Sequence, residues 1–217
     1  MRYKCLVFDH DDTVVNSTAT IHHPCFEAYL REFFPGRSCS LEEYFLKNFH
    51  PGFIPMCKEE YGLSDADLEI EYRYWQAYVQ SRIPQAYPGL RELMERHKAA
   101  GGLLAVISHS TAWNIRRDYK ANGLPEPDAV YGWERPENQR KPWPFPLEDI
   151  MARFSLRPEE LLMIDDLKPG YDMALAAKVD FAAVGWSNDI APIETFMRRN
   201  SPLYFKTVPE LAAFLEA

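Results

Sequence analysis

The chain has 217 residues, of which 47% are hydrophobic and 26% charged, and its formal net charge is −8. This apolar fraction is sufficient for one large domain or for one domain with an insertion. The acidic balance, without any basic run, argues against a nucleic acid partner. No segment approaches the roughly 18 continuous apolar residues of a membrane span, and no secretory leader is recognisable, so we expect a cytoplasmic protein without a membrane partner.

The four cysteines do not form a metal-binding or disulfide pattern. They are Cys5, Cys25, Cys39 and Cys57, and none of them belongs to a Cys-x-x-Cys motif. We therefore expect buried, reduced thiols, which is the common state of free cysteine in a folded domain.

The first predicted element is a short buried strand at 5–8, and three carboxylates follow it at once. They are Asp9, Asp11 and Asp12, with His10 among them. Like charges this close repel each other, and a divalent cation such as Mg²⁺, which prefers carboxylate and carbonyl oxygens, would relieve the repulsion. Asp9 and Asp11 can share such a site, one facing the cation and the other transferring a proton. Taken alone, such a motif is more often a solvated acidic turn that caps a helix.

The next stretch, 18–87, is aromatic and helical in its spacing. Apolar residues at helical intervals predict helices over 26–33, 41–49 and 68–79, with Ser64 as a cap residue before the last. No strand pattern occurs here. We predict a small helical unit, inserted into another domain, whose aromatic side chains form its own core.

From residue 87 onward, predicted helices and strands alternate. The strands are predicted at 103–107, 129–131, 161–164 and 181–184, and the helices at 90–97, 112–122, 147–154, 171–178 and 209–216. This alternation predicts an α/β fold: a Rossmann-like doubly wound parallel sheet covered on both faces, with the helical unit inserted into it.

Chemically active side chains follow the ends of several predicted strands. They are Asp9 and Asp11 after the first strand, Ser108 after the second, Lys141 in a later loop, and Asp165 and Asp166 after the strand at 161–164. Ligands of such sheets bind outside the carboxyl ends of the strands. Four separate stretches thus bring acid, hydroxyl, ammonium and acid to one edge, which is far more specific than any single motif.

These residues resemble the four motifs of the haloacid dehalogenase-like hydrolases. The matches are Asp9-His10-Asp11-Asp12-Thr13, Ser108, Lys141-Pro142, and Asp165-Asp166 followed by a turn containing Gly170 and an Ala-rich helix. The insertion is similar to the helical cap of the subfamily that contains phosphoglycolate phosphatase and beta-phosphoglucomutase. The resemblance implies a core domain of residues 1–16 and 88–217 and a cap domain of residues 17–87.

The resemblance also implies a mechanism and a set of site residues. Asp9 would attack the phosphorus of a small phosphorylated substrate and form an aspartyl-phosphate, while Asp11 serves as general acid and base. The implied catalytic residues are Asp9, Asp11, Ser108 and Lys141; the substrate-binding residues are His10, Thr13, Ser108, His109 and Lys141; and the Mg²⁺ ligands are Asp9, Asp11, Asp165 and Asp166.

Two positions depart from the family pattern. Asp12 stands where the family usually has Gly, which adds a negative charge and a backbone requirement that Asp meets less readily than Gly. His10 stands where an apolar residue is common, and its side chain is expected to point at the substrate or the cap, or to be a simple surface variation. Asp11 itself favours phosphate ester chemistry, because the dehalogenases and phosphonatases lack this second acid.

Hydrolysis of a phosphate monoester is the first choice of function, and two alternatives stay open. A phosphomutase of the beta-phosphoglucomutase type would need a cap that excludes water. A non-catalytic phosphate-binding protein of the same fold is the other alternative, since a fold does not fix a function. The identity of the substrate and the oligomeric state are not determined by the sequence. The loop at 132–140 is either a specificity element or, by the stronger expectation, a solvated loop.

Overall fold

The computed structural model describes residues 2–217, and it divides the chain into two compact units. One unit comprises the residues up to Asn16 together with Gln85–Ala217, and the other is Ser17–Pro84. The chain therefore leaves the first unit after its opening strand and returns to it at Gln85, three residues before the predicted start of the second core segment at 88.

The first unit is built on a sheet of six parallel strands in the order β3-β2-β1-β4-β5-β6. The strands are β1 (Cys5–Phe8), β2 (Leu103–Ile107), β3 (Ala129–Tyr131), β4 (Leu161–Asp165), β5 (Asp180–Val184) and β6 (Leu203–Phe205). The predicted strands are confirmed, while β6, a three-residue edge strand, has too short a pattern to be recognised in the sequence.

Both faces of this sheet are buried. Side chains alternate between the two faces of a strand, and every residue of β1 and β4 is buried. One face packs, through Leu6 and Phe8, against apolar residues of three helices: Leu90, Leu93 and Met94, then Ile115 and Tyr119, then Val208, Leu211 and Leu215. The doubly wound parallel arrangement predicted from the sequence is therefore confirmed.

Within residues 2–217, six α-helices belong to this unit, besides two short 3-10 helices at Glu137–Gln139 and Pro158–Glu160. The α-helices are Leu90–Ala99, Ala112–Ala121, Phe145–Phe154, Lys168–Ala177, Ala191–Asn200 and Val208–Glu216, which we label α5 to α10 after the four helices of the other unit. The helices α7, α8 and α10 begin before their predicted starts, because Pro146, Pro169 and Pro209 lie in their first turns, where proline is tolerated.

The unit Ser17–Pro84 contains only helices. They are a π-helix at Thr18–His22 and the α-helices α1 (His23–Phe33), α2 (Leu41–Phe49), α3 (Phe53–Glu59) and α4 (Asp65–Val79). Ser40 with Glu43, and Ser64 with Asp67, form capping boxes at the starts of α2 and α4. The prediction did not include α3, because Pro51-Gly52 reads as a stop and Pro55 follows closely.

The core of this helical unit is aromatic and rich in thiols. Phe26, Tyr29, Tyr44 and Cys57 are among its buried residues, so these aromatic side chains pack as core, as predicted. All four cysteines of the chain are buried and free, which confirms the reduced thiols expected from the sequence. Across residues 2–217, no helix combines the length and the apolar character that a membrane crossing requires.

Candidate active site

The strand order places the candidate site between β1 and β4. From β1 the chain builds outward through β2 and β3, then crosses to the opposite side of β1 to form β4. Such a reversal opens a crevice at the carboxyl ends of the two central strands, where ligands of doubly wound sheets bind. Asp9 follows β1 directly, and Asp165 and Asp166 stand at the end of β4.

Lys141 connects the acids of the two strands. Its Nζ atom lies 2.5 Å from Oδ1 of Asp9 and 2.7 Å from Oδ2 of Asp165. All three side chains are buried. A buried ammonium with two carboxylates forms short charge-assisted hydrogen bonds, which fix the position of both acids. The lysine of the third motif therefore reaches the first and the fourth motifs at once.

Three of these acids form a group with the geometry of a cation site. Ligand oxygens of Asp9, Asp165 and Asp166 lie within 4.8 Å of one another. The Oδ2 atom of Asp166 is buried and has no hydrogen-bond partner among the described residues, and a buried acceptor without a partner is unfavourable. A hard divalent cation would satisfy this oxygen and would suit the all-oxygen donor set, so the residues present fit the Mg²⁺ ion that the fold family implies.

The electrostatics of the group also favour a bound cation. Burial raises the pKa of Asp9 well above its usual value, and Lys141 opposes this shift. Burial likewise raises the pKa of Asp166, and the carboxylates of Asp12 and Asp165 add to the effect. Burial alone would lower the pKa of Lys141, yet the carboxylates of Asp165 and Asp9 raise it. One ammonium thus leaves excess negative charge, which a cation would neutralise.

The carboxylate of Asp11 is held by two serine hydroxyls. Ser108 Oγ donates to Asp11 Oδ2 over 3.1 Å, and Ser110 Oγ donates to the same oxygen over 2.7 Å. The backbone N–H of Ser110 also donates to Ser108 Oγ over 2.9 Å. The sequence analysis did not single out Ser110, although a hydroxyl two residues beyond Ser108 lies on the same side of an extended segment.

The structure places two expected substrate-binding residues deeper in the molecule. Thr13 is fully buried, and its Oγ1 donates to Asp166 Oδ1 over 3.2 Å. The imidazole of His10 is also fully buried, with Nε2 at 3.1 Å from Asp118 Oδ2 and the ring stacked on Tyr119. Neither side chain has exposed surface: Thr13 contacts an acid of the candidate cation site, and His10 lies against α6.

Asp12, where the family pattern has Gly, adopts backbone angles that glycine adopts easily. Its φ angle is 62°, in the left-handed region, where Asp is one of the better tolerated non-glycine residues. Its N–H donates to the carbonyl oxygen of Val15 over 2.7 Å, closing the turn. Asp12 therefore keeps the loop geometry that glycine would allow. Having Asp in place of Gly adds a buried carboxylate near Asp166, which is unfavourable.

His109 is an exposed residue beside the site, and the local burial of its ring lowers the pKa to about 4. Its Nε2 lies 3.1 Å from the carbonyl oxygen of Lys141, and its ring meets the indole of Trp133 edge-on, with the centroids 5.6 Å apart. Of the residues predicted from the sequence, Asp9, Asp11, Ser108, Lys141, Asp165 and Asp166 meet at the carboxyl ends of β1, β2 and β4.

Comparisons with known proteins agree with this arrangement. The family model of the haloacid dehalogenase-like hydrolases matches residues 6–184. The phosphoglycolate phosphatase of Mannheimia succiniciproducens is 25% identical over 195 residues, which is 85% of each chain. A haloacid dehalogenase-like hydrolase from Bacteroides fragilis has a TM-score of 0.81 at 22% identity, over 96% of this chain and 99% of that chain. A predicted phosphoglycolate phosphatase from Haemophilus somnus has a TM-score of 0.76 at 20% identity, over 100% and 98%.

The chain belongs to the haloacid dehalogenase-like hydrolase family, because the family model covers most of its length, including all four motifs. Within that family it is a phosphatase-type enzyme. The likeness to solved structures shows the fold, including the helical insertion.

Proposed function

We propose that the protein is a Mg²⁺-dependent phosphatase that hydrolyses a small phosphorylated metabolite, a phosphate monoester, through an aspartyl-phosphate intermediate. The observation that carries this proposal is the placement of Asp9, whose carboxylate pairs with Lys141 and lies within the acidic group of Asp165 and Asp166. Phosphoryl transfer to a carboxylate requires an in-line anion whose repulsion with the phosphate is neutralised. Relatives with phosphoglycolate phosphatase activity in their names support the same reaction class.

In the proposed reaction, an oxygen of Asp9 attacks the phosphorus, and the bond from phosphorus to the ester oxygen breaks. Asp11 gives a proton to the departing oxygen, so the product leaves as an alcohol. Asp11 then takes a proton from water, the water oxygen bonds to phosphorus, and the acyl-phosphate bond breaks to release inorganic phosphate and Asp9. The hydrogen bonds from Ser108 and Ser110 fix the orientation of the Asp11 carboxyl for both steps.

Ser108 and Lys141 are the proposed ligands of the transferring phosphoryl group. The Ser108 hydroxyl lies beside Asp11, and the Lys141 ammonium lies beside Asp9, so both donors stand next to the two acids that react. The positive charge on Lys141 persists because the neighbouring carboxylates raise its pKa. It therefore reduces the repulsion between Asp9 and an anionic substrate.

Asp9, Asp165 and Asp166 would hold Mg²⁺, together with the backbone carbonyl of Asp11. When bound, the ion would supply positive charge to the phosphoryl oxygens. Thr13 keeps one oxygen of Asp166 in place through its hydroxyl, which orients the carboxylate toward the other two acids. The cytoplasmic location and the absence of a nucleic acid partner stay predictions from the sequence.

The test is phosphate release from a panel of small phosphorylated metabolites, in Mg²⁺ and in chelator. We expect wild-type release that requires Mg²⁺ and that falls to the assay background in Asp9→Asn. The matched control is Asp172→Asn, which removes a partly exposed carboxylate of α8 paired with Lys168 and should leave release close to wild type. Activity that survives in Asp9→Asn would exclude Asp9 as the nucleophile. Release that is unaffected by chelator would exclude the metal.

A further inference from the structure

A cationic and aromatic cluster borders the phosphoryl site. It consists of Arg140, Trp133 and His109. The Cζ atom of Arg140 lies 4.0 Å from the centroid of the Trp133 ring. The ring of His109 contacts the same indole edge-on, with an angle of 84° between the two ring planes. His109 follows Ser108 in the chain and contacts the Lys141 carbonyl oxygen, and Arg140 precedes Lys141. Burial and the charges of Lys141 and Arg140 lower the pKa of His109, while Asp11 raises it, so the cluster lies near the proposed phosphoryl ligands.

The loop that carries this cluster is ordered by its own hydrogen bonds. The N–H of Trp133 donates to the carbonyl oxygen of Ser110 over 3.0 Å, and Glu134 accepts from the N–H of Ala112 over 3.1 Å. His109 holds the other end of the loop through the carbonyl oxygen of Lys141. These contacts argue against the solvated loop expected from the sequence, because both ends of the loop are fixed to the segment that follows β2.

The cation of this cluster is Arg140. Its Nε atom is buried and lacks a hydrogen-bond partner, and Arg140 forms no ion pair with a carboxylate of residues 2–217. A buried donor without a partner is unfavourable, and such a group is rare enough in a folded protein to require an explanation. The stacking on Trp133 stabilises the guanidinium in place but leaves its in-plane donors available.

The geometry points to a second anion-binding subsite at Arg140. We propose that Arg140, held by Trp133, binds a second oxyanion of the substrate, so that the preferred substrates are small phosphate monoesters that also carry a carboxylate or another phosphate. A guanidinium presents paired N–H donors that match either group in a bidentate arrangement. His109 positions the indole rather than the anion, since its Nε2 is committed to the Lys141 carbonyl. This inference rests on the proposed phosphatase function.

The first experiment compares kcat/KM for pairs of substrates that differ only in the second anion. One pair is 2-phosphoglycolate and ethyl phosphate, and the other is 1,3-propanediol bisphosphate and propyl phosphate. We expect wild type to prefer the member with the second anion, and we expect that preference to fall by about tenfold or more in Arg140→Met, as when a site loses a polar contact built for the substrate. The pair with the larger effect identifies the oxyanion as carboxylate or phosphate. Arg140→Lys, which keeps the charge without the paired donors, should retain part of the preference.

The matched control is Arg135→Met. Arg135 belongs to the same loop and also stacks on an aromatic ring, that of Tyr131, at 4.6 Å, while donating to Gln139. It should retain the preference. Three results would overturn the subsite: no preference in wild type, an equal fall for both members of each pair in Arg140→Met, or the same loss of preference in Arg135→Met. An equal fall would mean that Arg140 only supports the loop and Lys141.

A binding experiment separates this inference from the proposed function. Calorimetry in Mg²⁺ would compare phosphonoacetate with methylphosphonate, neither of which can be hydrolysed at phosphorus. We expect tighter binding of phosphonoacetate by wild type, and loss of that advantage in Arg140→Met but not in Arg135→Met. If wild type hydrolyses nothing yet shows this pattern, the phosphatase function fails and the subsite stands. Equal affinity of wild type for both phosphonates would overturn a carboxylate subsite, and the same comparison between propane-1,3-diphosphonate and propylphosphonate would decide the phosphate form.

Discussion

His10 and Asp118 form a buried pair between the loop that follows β1 and helix α6, with Nε2 of His10 at 3.1 Å from Oδ2 of Asp118. Arg117 donates to the other oxygen of Asp118 from its Nε over 2.8 Å. The ring of His10 therefore fixes the loop between Asp9 and Asp11 through a polar contact, at a position where the family pattern has an apolar side chain. A buried carboxylate that loses one of its partners keeps the cost of its desolvation.

Replacing His10 by Phe should lower the free energy of unfolding by about 1–3 kcal/mol, because it removes one partner of the buried Asp118 carboxylate. The measurement is urea unfolding of His10→Phe, Asp118→Asn and the double variant. We expect a coupling energy of about 0.5–3 kcal/mol between the two positions. The control pair is His97→Phe with Asp118→Asn, since His97 bonds to the carbonyl oxygen of Leu103 instead, and these two changes should add. Additive effects for His10 and Asp118 as well would contradict the interaction.

Lys141 should be essential for stability in the absence of metal, besides its proposed role in activity. Lys141→Met leaves Asp9 and Asp165 as buried carboxylates without a cation, and the unfolding free energy in chelator should fall by about 3–5 kcal/mol. The matched control is Lys168→Met, which breaks a partly exposed pair with Asp172 and should cost about 0–1 kcal/mol. Urea unfolding of both variants in chelator measures the difference. If the two variants lose similar unfolding free energy, the buried ion pairs of Lys141 are no more stabilising than the partly exposed pair of Lys168.

The sequence determines the site acids well because their position follows from simple rules. A buried apolar run ending in Asp9 or in Asp165 places an acid at the carboxyl end of a strand, and parallel strands bring these ends together. The resemblance to the family adds Lys141 to the same site, although its ion pair with Asp165 was not predicted. None of this requires knowledge of side-chain packing, which is why these residues are found where they were expected.

The contacts that the sequence does not reveal are those between distant segments. The partner of His10 lies 108 positions away on α6, and no local spacing indicates it. The hydrogen bond from Ser110 to Asp11 could be predicted only after Ser108 and Asp11 are known to lie next to each other. The burial of Arg140 Nε likewise depends on how the loop packs. The sequence alone therefore favoured a solvated loop at 132–140. Helix α9 was not predicted, although its buried residues Ile193 and Met197 have helical spacing.

Gly170 in α8 is required for the position of Asp165. A Cβ atom at this position would lie 2.1 Å from Asp165 Oδ2, the oxygen that accepts from Lys141. The backbone of Gly170 is helical, and alanine is the better helix former. Gly170→Ala should therefore leave the fold intact, displace Asp165, and abolish both phosphate release and the rise in melting temperature expected if Mg²⁺ binds the folded state as proposed.

The control for that variant is Gly102→Ala, away from the acidic group. There a Cβ atom would meet His97 Nε2 at 2.2 Å, a similar overlap. We expect a lower melting temperature for Gly102→Ala, with its increase upon addition of Mg²⁺ preserved. Thermal unfolding of both variants, with and without Mg²⁺, distinguishes the two effects. A normal Mg²⁺ response in Gly170→Ala would show that Asp165 can move without loss of the cation site.

Glu71 of α4 is a buried acid inside the helical unit Ser17–Pro84. Burial raises its pKa from 4.5 to about 7, and His22 opposes the shift. The groups that it influences on the neighbouring helices are Cys25 and Tyr29 of α1, Tyr44 of α2 and Cys57 of α3. Among the residues that shift its pKa, His22 is the one counter-charge, so the ionised form of Glu71 is unfavourable in the folded unit.

The stability of this helical unit should therefore fall as pH rises. Between pH 4.5 and about 7 the unfolded chain loses the Glu71 proton while the folded unit keeps it. Each increase in pH thus favours the unfolded state, by about 3 kcal/mol in total, and the effect levels off above pH 7. Glu71→Gln should remove this dependence and be more stable than wild type at pH 8. Glu69→Gln, an exposed change on the same helix, should retain it. The measurement is urea unfolding followed by near-ultraviolet circular dichroism across this range, and a Glu71→Gln variant that is as sensitive to pH as wild type would refute the assignment.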